Sequence, residues 1–209
     1  MTDTYDTSRA HGRIRARWVS DGAEKGSFEV HNTMSYAAAD VLAAAYGGDT
    51  SKVPKYIGYL YAGDDKVPAP ITRDMTWQSV KQMAKDIGGN IQVNRFSRKP
   101  SIYVSEVVDS NDQPLYAGNV VEFHAVSRSG VDGEYGADTS GMSDFAGPLQ
   151  SGDTIYRAVL LGDGIPCDDE NKYTVLAMVD MAKDIGGSKT YRKKPDNYEL
   201  AIDWRVTFE

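Results

Sequence analysis

Three stretches of the chain alternate apolar and polar residues with a period of two, the mark of a strand with one face in a core and the other in water. In the first, Ile14, Ala16 and Trp18 alternate with Arg13, Arg15 and Arg17. Residues 27–30 alternate again after an Asp21-Gly22 turn, so the pair predicts a hairpin with a longish loop. The third is the longest: Tyr198, Leu200, Ile202, Trp204, Val206 and Phe208 alternate with Glu199, Ala201, Asp203, Arg205 and Thr207. Further strands are expected at residues 55–62, 91–96, 102–108, 119–126, 154–161 and 173–180.

Two segments break this period. Residues 35–46, Ser-Tyr-Ala-Ala-Ala-Asp-Val-Leu-Ala-Ala-Ala-Tyr, combine strong helix formers with a serine N-cap and a Gly47-Gly48 stop. Such a helix is apolar nearly all round and should be buried against a sheet or a neighbouring subunit. In residues 76–88, Trp77, Val80, Met83, Ala84 and Ile87 fall on one helical face ahead of Gly88-Gly89. The whole pattern predicts a mainly β chain: an antiparallel β-sandwich over residues 13–209 with one or two short helices, preceded by an extended, polar N-terminal arm, residues 1–12. Residues 127–147, dominated by Gly, Ser and Asp, predict a long exposed loop, a candidate contact surface.

The heptapeptide Met83-Ala84-Lys85-Asp86-Ile87-Gly88-Gly89 recurs letter for letter as Met181-Ala182-Lys183-Asp184-Ile185-Gly186-Gly187. Each copy follows an aromatic strand start, Tyr56 or Tyr156, and precedes a basic stretch ending in proline, at Pro100 or Pro195. Two copies this far apart are no solenoid. They fit an internal duplication with halves of about 13–110 and 111–209, alongside the simpler reading of a coincidental helix stop.

Composition narrows the function classes. The 209 residues are 41% hydrophobic and 25% charged, as in a folded globular protein. A formal charge of -7 argues against nonspecific nucleic-acid binding, which needs basic patches. No window approaches the ~20 apolar residues of a membrane-spanning helix, and the polar start of the chain carries no secretory signal pattern, so neither membrane insertion nor export by that route is expected. The single cysteine, Cys167, excludes an internal disulfide and an all-cysteine zinc site.

Candidate chemistry is sparse. His11, His31 and His124 lie far apart and outside any metal-binding spacing, and Cys167 has no adjacent base. Asp163, Asp168, Asp169 and Glu170 offer oxygens that calcium accepts, without the spacing of an EF-hand. The pairs Asp64-Asp65 and Asp168-Asp169 suit turns better than the two-carboxylate arrangement of a glycosidase. Trp18 and Trp204 fall on strand core faces, which leaves Trp77 as the aromatic to test for sugar stacking. No catalytic residue, cofactor or metal site is expected.

Several segments resemble structural proteins of tailed-phage virions: the opening basic-apolar strand, Glu29-Val30-His31-Asn32-Thr33, the alanine-rich helix and Pro54-Lys55-Tyr56-Ile57-Gly58. Asn119-Val120-Val121-Glu122-Phe123 and the final run from Glu199 to Phe208 are similar to later strands of such proteins. The resemblance implies a non-enzymatic, β-rich virion component, foremost a capsid cement or decoration protein. It would bind the major capsid protein or other virion proteins, assemble as a homo-oligomer, and reach the virion from the cytoplasm of a bacterial host. A tail, collar or baseplate component is the nearest alternative, and a carbohydrate- or receptor-binding module the next. The expected contact residues are Tyr5, Arg9 and Arg13 of the arm region and Tyr135 in the loop.

Overall fold

The computed structural model describes residues 10–49, 53–63, 66–97, 100–103, 111, 120–127, 149–164, 168, 170–185 and 188–208. Over them the chain is mainly β. It runs β1 (Ala10–Ser20), β2 (Ala23–Met34), α1 (Tyr36–Tyr46), β3 (Pro54–Ala62), α2 (Trp77–Asp86), β4 (Asn90–Arg95) and β5 (Ser101–Tyr103). It continues through β6 (Val120–Val126), β7 (Thr154–Asp163), β8 (Tyr173–Asp180), β9 (Lys183–Ile185), β10 (Ser188–Thr190), β11 (Arg192–Lys193) and β12 (Glu199–Phe208). The main sheet has the order β4-β3-β7-β8-β2-β1-β12-β6-β5, with β11 added to β7 and β9-β10 as a separate hairpin. Every pairing is antiparallel.

The alternation seen in the sequence explains one half of this sheet. Ile14 and Ala16 of β1 are buried while Arg13 and Arg15 are exposed, and β12 sends Leu200, Ile202, Trp204 and Val206 into the same core. The β1-β2 connection is tighter than a longish loop: Ser20 pairs with Ala23, and Asp21 (φ 52°) and Gly22 (φ 75°) form a two-residue turn. Two left-handed residues give the turn a twist that matches the strands it joins. Residues 10–12, expected in the arm, belong to β1, and residues 1–9 lie outside the described residues. Residues 10–12 already pair with 206–208, and Gly12 is there for close approach, since a Cβ would lie 1.8 Å from Asn32 Oδ1.

The other half is buried on both faces. Ile57, Tyr59 and Tyr61 of β3 face the core shared with β1 and β12, while Tyr56 and Leu60 face a second core under α2. α2 forms where its periodicity predicts. Thr76 and Ser79 make a reciprocal capping box, and Trp77, Val80, Met83 and Ala84 are the buried face. α1 also starts as expected, with Ser35 Oγ accepting from Ala38 N and donating to Val175 O. It is not buried all round, however. Ala38 and Val41 face the core, whereas Tyr36 is 60% exposed, its ring held under the Arg73 guanidinium.

The sheet curls into a half-barrel, so the two-layer core expected of a sandwich lies between two segments of one sheet. On one side of the curl β4 reaches β6: Asn94 Nδ2 donates to Val126 O (2.8 Å), Ser97 N to His124 O (2.8 Å), and Phe96 packs on Phe123. On the other side β2 reaches β8 only through Asn32-Val179, Thr33-Met178 and Met34-Ala177.

The repeated heptapeptide is not a structural repeat. Met83 to Asp86 finish α2, whereas Lys183–Ile185 is β9. The first copy continues a helical period begun at Trp77, while the second follows β8 directly and is tied by Met181 N to Tyr156 O (2.9 Å).

Candidate functional site

The outward face of β2-β1-β12-β6 carries the densest set of ionisable groups in the described structure. Strand period places Arg13, Arg15 and Arg17 there from β1, Glu29 from β2, Asp203 and Arg205 from β12, and Glu122 and His124 from β6. Register then sets the partners. Arg205 lies opposite Glu122 and bonds it at 2.7 Å, and Asp203 lies opposite His124, with Nδ1 and Oδ1 2.5 Å apart. The second oxygen of Asp203 takes Arg17 Nη2 at 2.8 Å, and Arg15 and Arg17 both reach Glu24. One row across the strands, Glu29-Arg15-Asp203-His124, alternates in character, whereas in the next row Arg13 lies opposite Arg205 and each of the two turns to a carboxylate, Glu29 or Glu122.

Exposure divides this face. Over β12 and β6 the carboxylates are covered, with Glu122 4% and Asp203 7% exposed, and their ion pairs compensate the buried charge. Over β1 and β2 the side chains are half in water: Arg13 and Glu29 sit 3.6 Å apart with side-chain exposures of 50% and 56%. Exposed pairs of this kind contribute about 0.2–1 kcal/mol each, so their partners are readily exchanged. Arg13, the one contact candidate that lies in described structure, is on this exposed portion; Tyr5, Arg9 and Tyr135 lie outside the described residues.

The His124-Asp203 pair has the form of an oriented imidazole. General-base chemistry would also need a hydroxyl or thiol on the other ring nitrogen. Among the described residues Ser97 is nearest in role, but its Oγ bonds the backbone oxygen of His124 (3.3 Å), not the ring. The arrangement therefore clamps β6, β12 and β1 together.

A second cluster lies on the outer side of β7. Arg157 is 2% exposed and donates to Asp180 Oδ1 (2.7 Å), Ala69 O (3.2 Å) and Tyr191 Oη (3.3 Å). Lys189 takes the other oxygen of Asp180, which raises the Lys189 pKa above its ordinary value. Arg157 thereby straps two connecting segments onto the sheet. Sequence reasoning missed it, although one arginine inside the apolar run 155–161 was a signal, since buried arginine requires partners.

Two of the calcium candidates are engaged by neighbouring groups. Asp163 is held by Lys55 and by Tyr56 Oη, and Asp168 accepts from Asn171 Nδ2 and from Glu170 N, which lowers the Asp168 pKa. Asp169 and Cys167, like Asp64 and Asp65, lie outside the described residues. Among the described residues no group of three or more His, Cys, Asp or Glu side chains is placed to hold a metal ion. Trp77 is no exposed platform: it is 2% exposed and meets Tyr173 edge-on, with centroids 4.9 Å apart. No described helix is long and apolar enough to cross a membrane. Comparison with known proteins finds no matching family model, no matching curated protein and no matching solved structure.

Proposed function

We propose that the protein is a non-enzymatic structural component of a tailed-phage virion, foremost a capsid cement or decoration protein that binds the major capsid protein. The observation that carries this reading is the outward face of β1 and β2, where Arg13, Arg15, Glu24 and Glu29 stand in weak, half-exposed pairs on a rigid sheet. The resemblance of the segments around Glu29, Pro54, Asn119 and Glu199 to virion proteins supports it independently. Such a face exchanges internal ion pairs for pairs across an interface at small cost, because exposed pairs contribute so little.

The mechanism is adhesion by shape. Each copy buries surface across adjacent capsid subunits, and a standard interface of about 1,600 Å² repeated over a shell stabilises it without any one contact being strong. The test is to incubate the purified protein with capsids that lack it and measure occupancy. Saturable, symmetric binding in hundreds of copies that weakens with salt and with the Arg13→Glu/Arg15→Glu variant is expected. Binding of a dozen copies or fewer would move the assignment to tail, collar or baseplate, and no binding to any particle would remove the virion reading.

A further inference from the structure

Arg13 and Arg205 lie directly opposite each other on the outward face of β1 and β12. Like charges in that position repel and weaken the strand pair unless an opposite charge stands between them or draws them apart. On its other side Arg13 meets His31, so no carboxylate faces it in register. The two arginines are held very differently. Arg205 Nε bonds Glu122 at 2.7 Å, and because that carboxylate is only 4% exposed it fixes a guanidinium whose side chain is 39% exposed. Among the described residues the ion-pair partner of Arg13 is Glu29, reached diagonally at 3.6 Å, which is too long for a hydrogen bond.

Both halves of this arrangement suit an incoming carboxylate. The planar fork of arginine matches the two oxygens of a carboxylate, and a guanidinium already fixed by a buried acid loses little freedom on binding. Arg13 gives up little by turning from Glu29 to an acid placed between it and Arg205, since exposed pairs contribute so little. Arginine is also the charged residue enriched in protein interfaces, where glutamate and aspartate are depleted. A phosphodiester chain is the poorer occupant, because its charge on every link would lie against Glu24 and Glu29 in a chain of net charge -7.

We propose that Arg13 and Arg205 together seat an acidic side chain of a protein partner, and that Glu29 stands in for it at Arg13 in the free chain. This names the partner chemistry of the adhesive face and rests on that reading. The face is then self-inhibited: removing the charge of Glu29 strengthens binding, the opposite of what docking on a basic partner requires.

The experiment titrates the isotope-labelled full chain by NMR at low ionic strength with an alternating Gly-Glu octapeptide, with the Gly-Gln octapeptide as its neutral match and octathymidylate as the nucleic-acid arm. The Glu peptide should move the side-chain signals of Arg13 and Arg205 along a saturable curve, and the Gln peptide should not. Arg13→Gln should weaken binding about tenfold through loss of a charge-assisted bond. Glu29→Gln should tighten it about twofold to fivefold through release of an exposed pair. Arg205→Gln would strand the buried Glu122, so Arg205→Lys replaces it: a charge stays beside Glu122, the fork is lost, and binding should weaken. Lys66→Gln removes an exposed cation outside this face and should leave the affinity unchanged. The proposal is overturned by no saturable shift at the two arginines, by weaker binding in Glu29→Gln, or by octathymidylate binding more tightly than the Glu peptide. The peptide needs no capsid, so these outcomes are separate from the virion reading. On capsids that take up the protein, Glu29→Gln should raise occupancy at limiting concentration; a fall there would leave the virion reading standing and overturn the acidic seat.

Discussion

At the residue scale, the sequence shows which side chains face the core but not which of their polar atoms are satisfied there. Tyr59 faces the core shared with β1 and β12, yet its hydroxyl is fully buried with no hydrogen-bond partner among the described residues. A buried hydroxyl left unpaired costs about 1–3 kcal/mol, so Tyr59→Phe should stabilise the protein by about 1 kcal/mol and raise Tm. A lower Tm would mean that the hydroxyl is satisfied. Burial also raises the pKa of Tyr59, and burial followed by the charge of Asp153 raises that of Tyr61. The unfolded chain then releases these protons at lower pH than the folded one. The associated stability is therefore complete below about pH 10, the ordinary tyrosine value, and is lost as pH rises through the folded-state values. In an alkaline titration followed at 295 nm these phenols should ionise only together with loss of the β signal in circular dichroism, and ionisation of all 13 tyrosines before that loss would contradict it.

At the element scale, what was legible was whatever carried a long, unbroken period. α2 is the clearest case, since Trp77, Val80, Met83, Ala84 and Ile87 lie on one side of the helix and all are buried. Trp77→Ala should accordingly cost about 3–5 kcal/mol by emptying the space against Tyr173, and Thr76→Ala about 1 kcal/mol through the lost cap. Chemical denaturation of the two variants checks this order. If Trp77→Ala leaves the midpoint unchanged, the helix does not pack there. The repeated heptapeptide marks the opposite limit: its Lys-Asp-Ile portion ends α2 in one copy and forms β9 in the other, so the same residues take two structures. Local propensity is a weak prior, and what precedes each copy decides: a capped helix in one case, β8 in the other. The ion pairs of the outward face were illegible for a related reason. Period showed that Arg17 and Asp203 face outward, but only register brings Asp203 between Arg17 and His124.

At the scale of the whole molecule, closure of the curl depends on a buried polar chain that no local pattern announces. Leu149 N donates to Gln92 Oε1, Gln92 Nε2 to Asn94 Oδ1, and Asn94 Nδ2 to Val126 O, each at 2.8 Å. Gln92 and Asn94 are each 1% exposed, so water does not replace a lost link. Gln92 and Asn94 sit at alternate positions of β4 and so share a face, where hydrophobic patterning would place apolar side chains. Their amides instead satisfy groups on facing segments, which apolar side chains of the same size would leave stranded. Asn94→Leu keeps the volume and removes both bonds, stranding Gln92 Nε2 and Val126 O at about 1–3 kcal/mol each. Because β7 and β8 are held by their own ladders and by the core under α2, the loss should appear first where β4 meets β6. Hydrogen exchange in Asn94→Leu should accelerate at residues 92–97 and 120–127 while residues 155–161 and 175–179 stay protected. Equal acceleration in both sets would show that the curl opens only with global unfolding, and no acceleration in either would show that the β4-β6 contact is held by Phe96 and Phe123 alone.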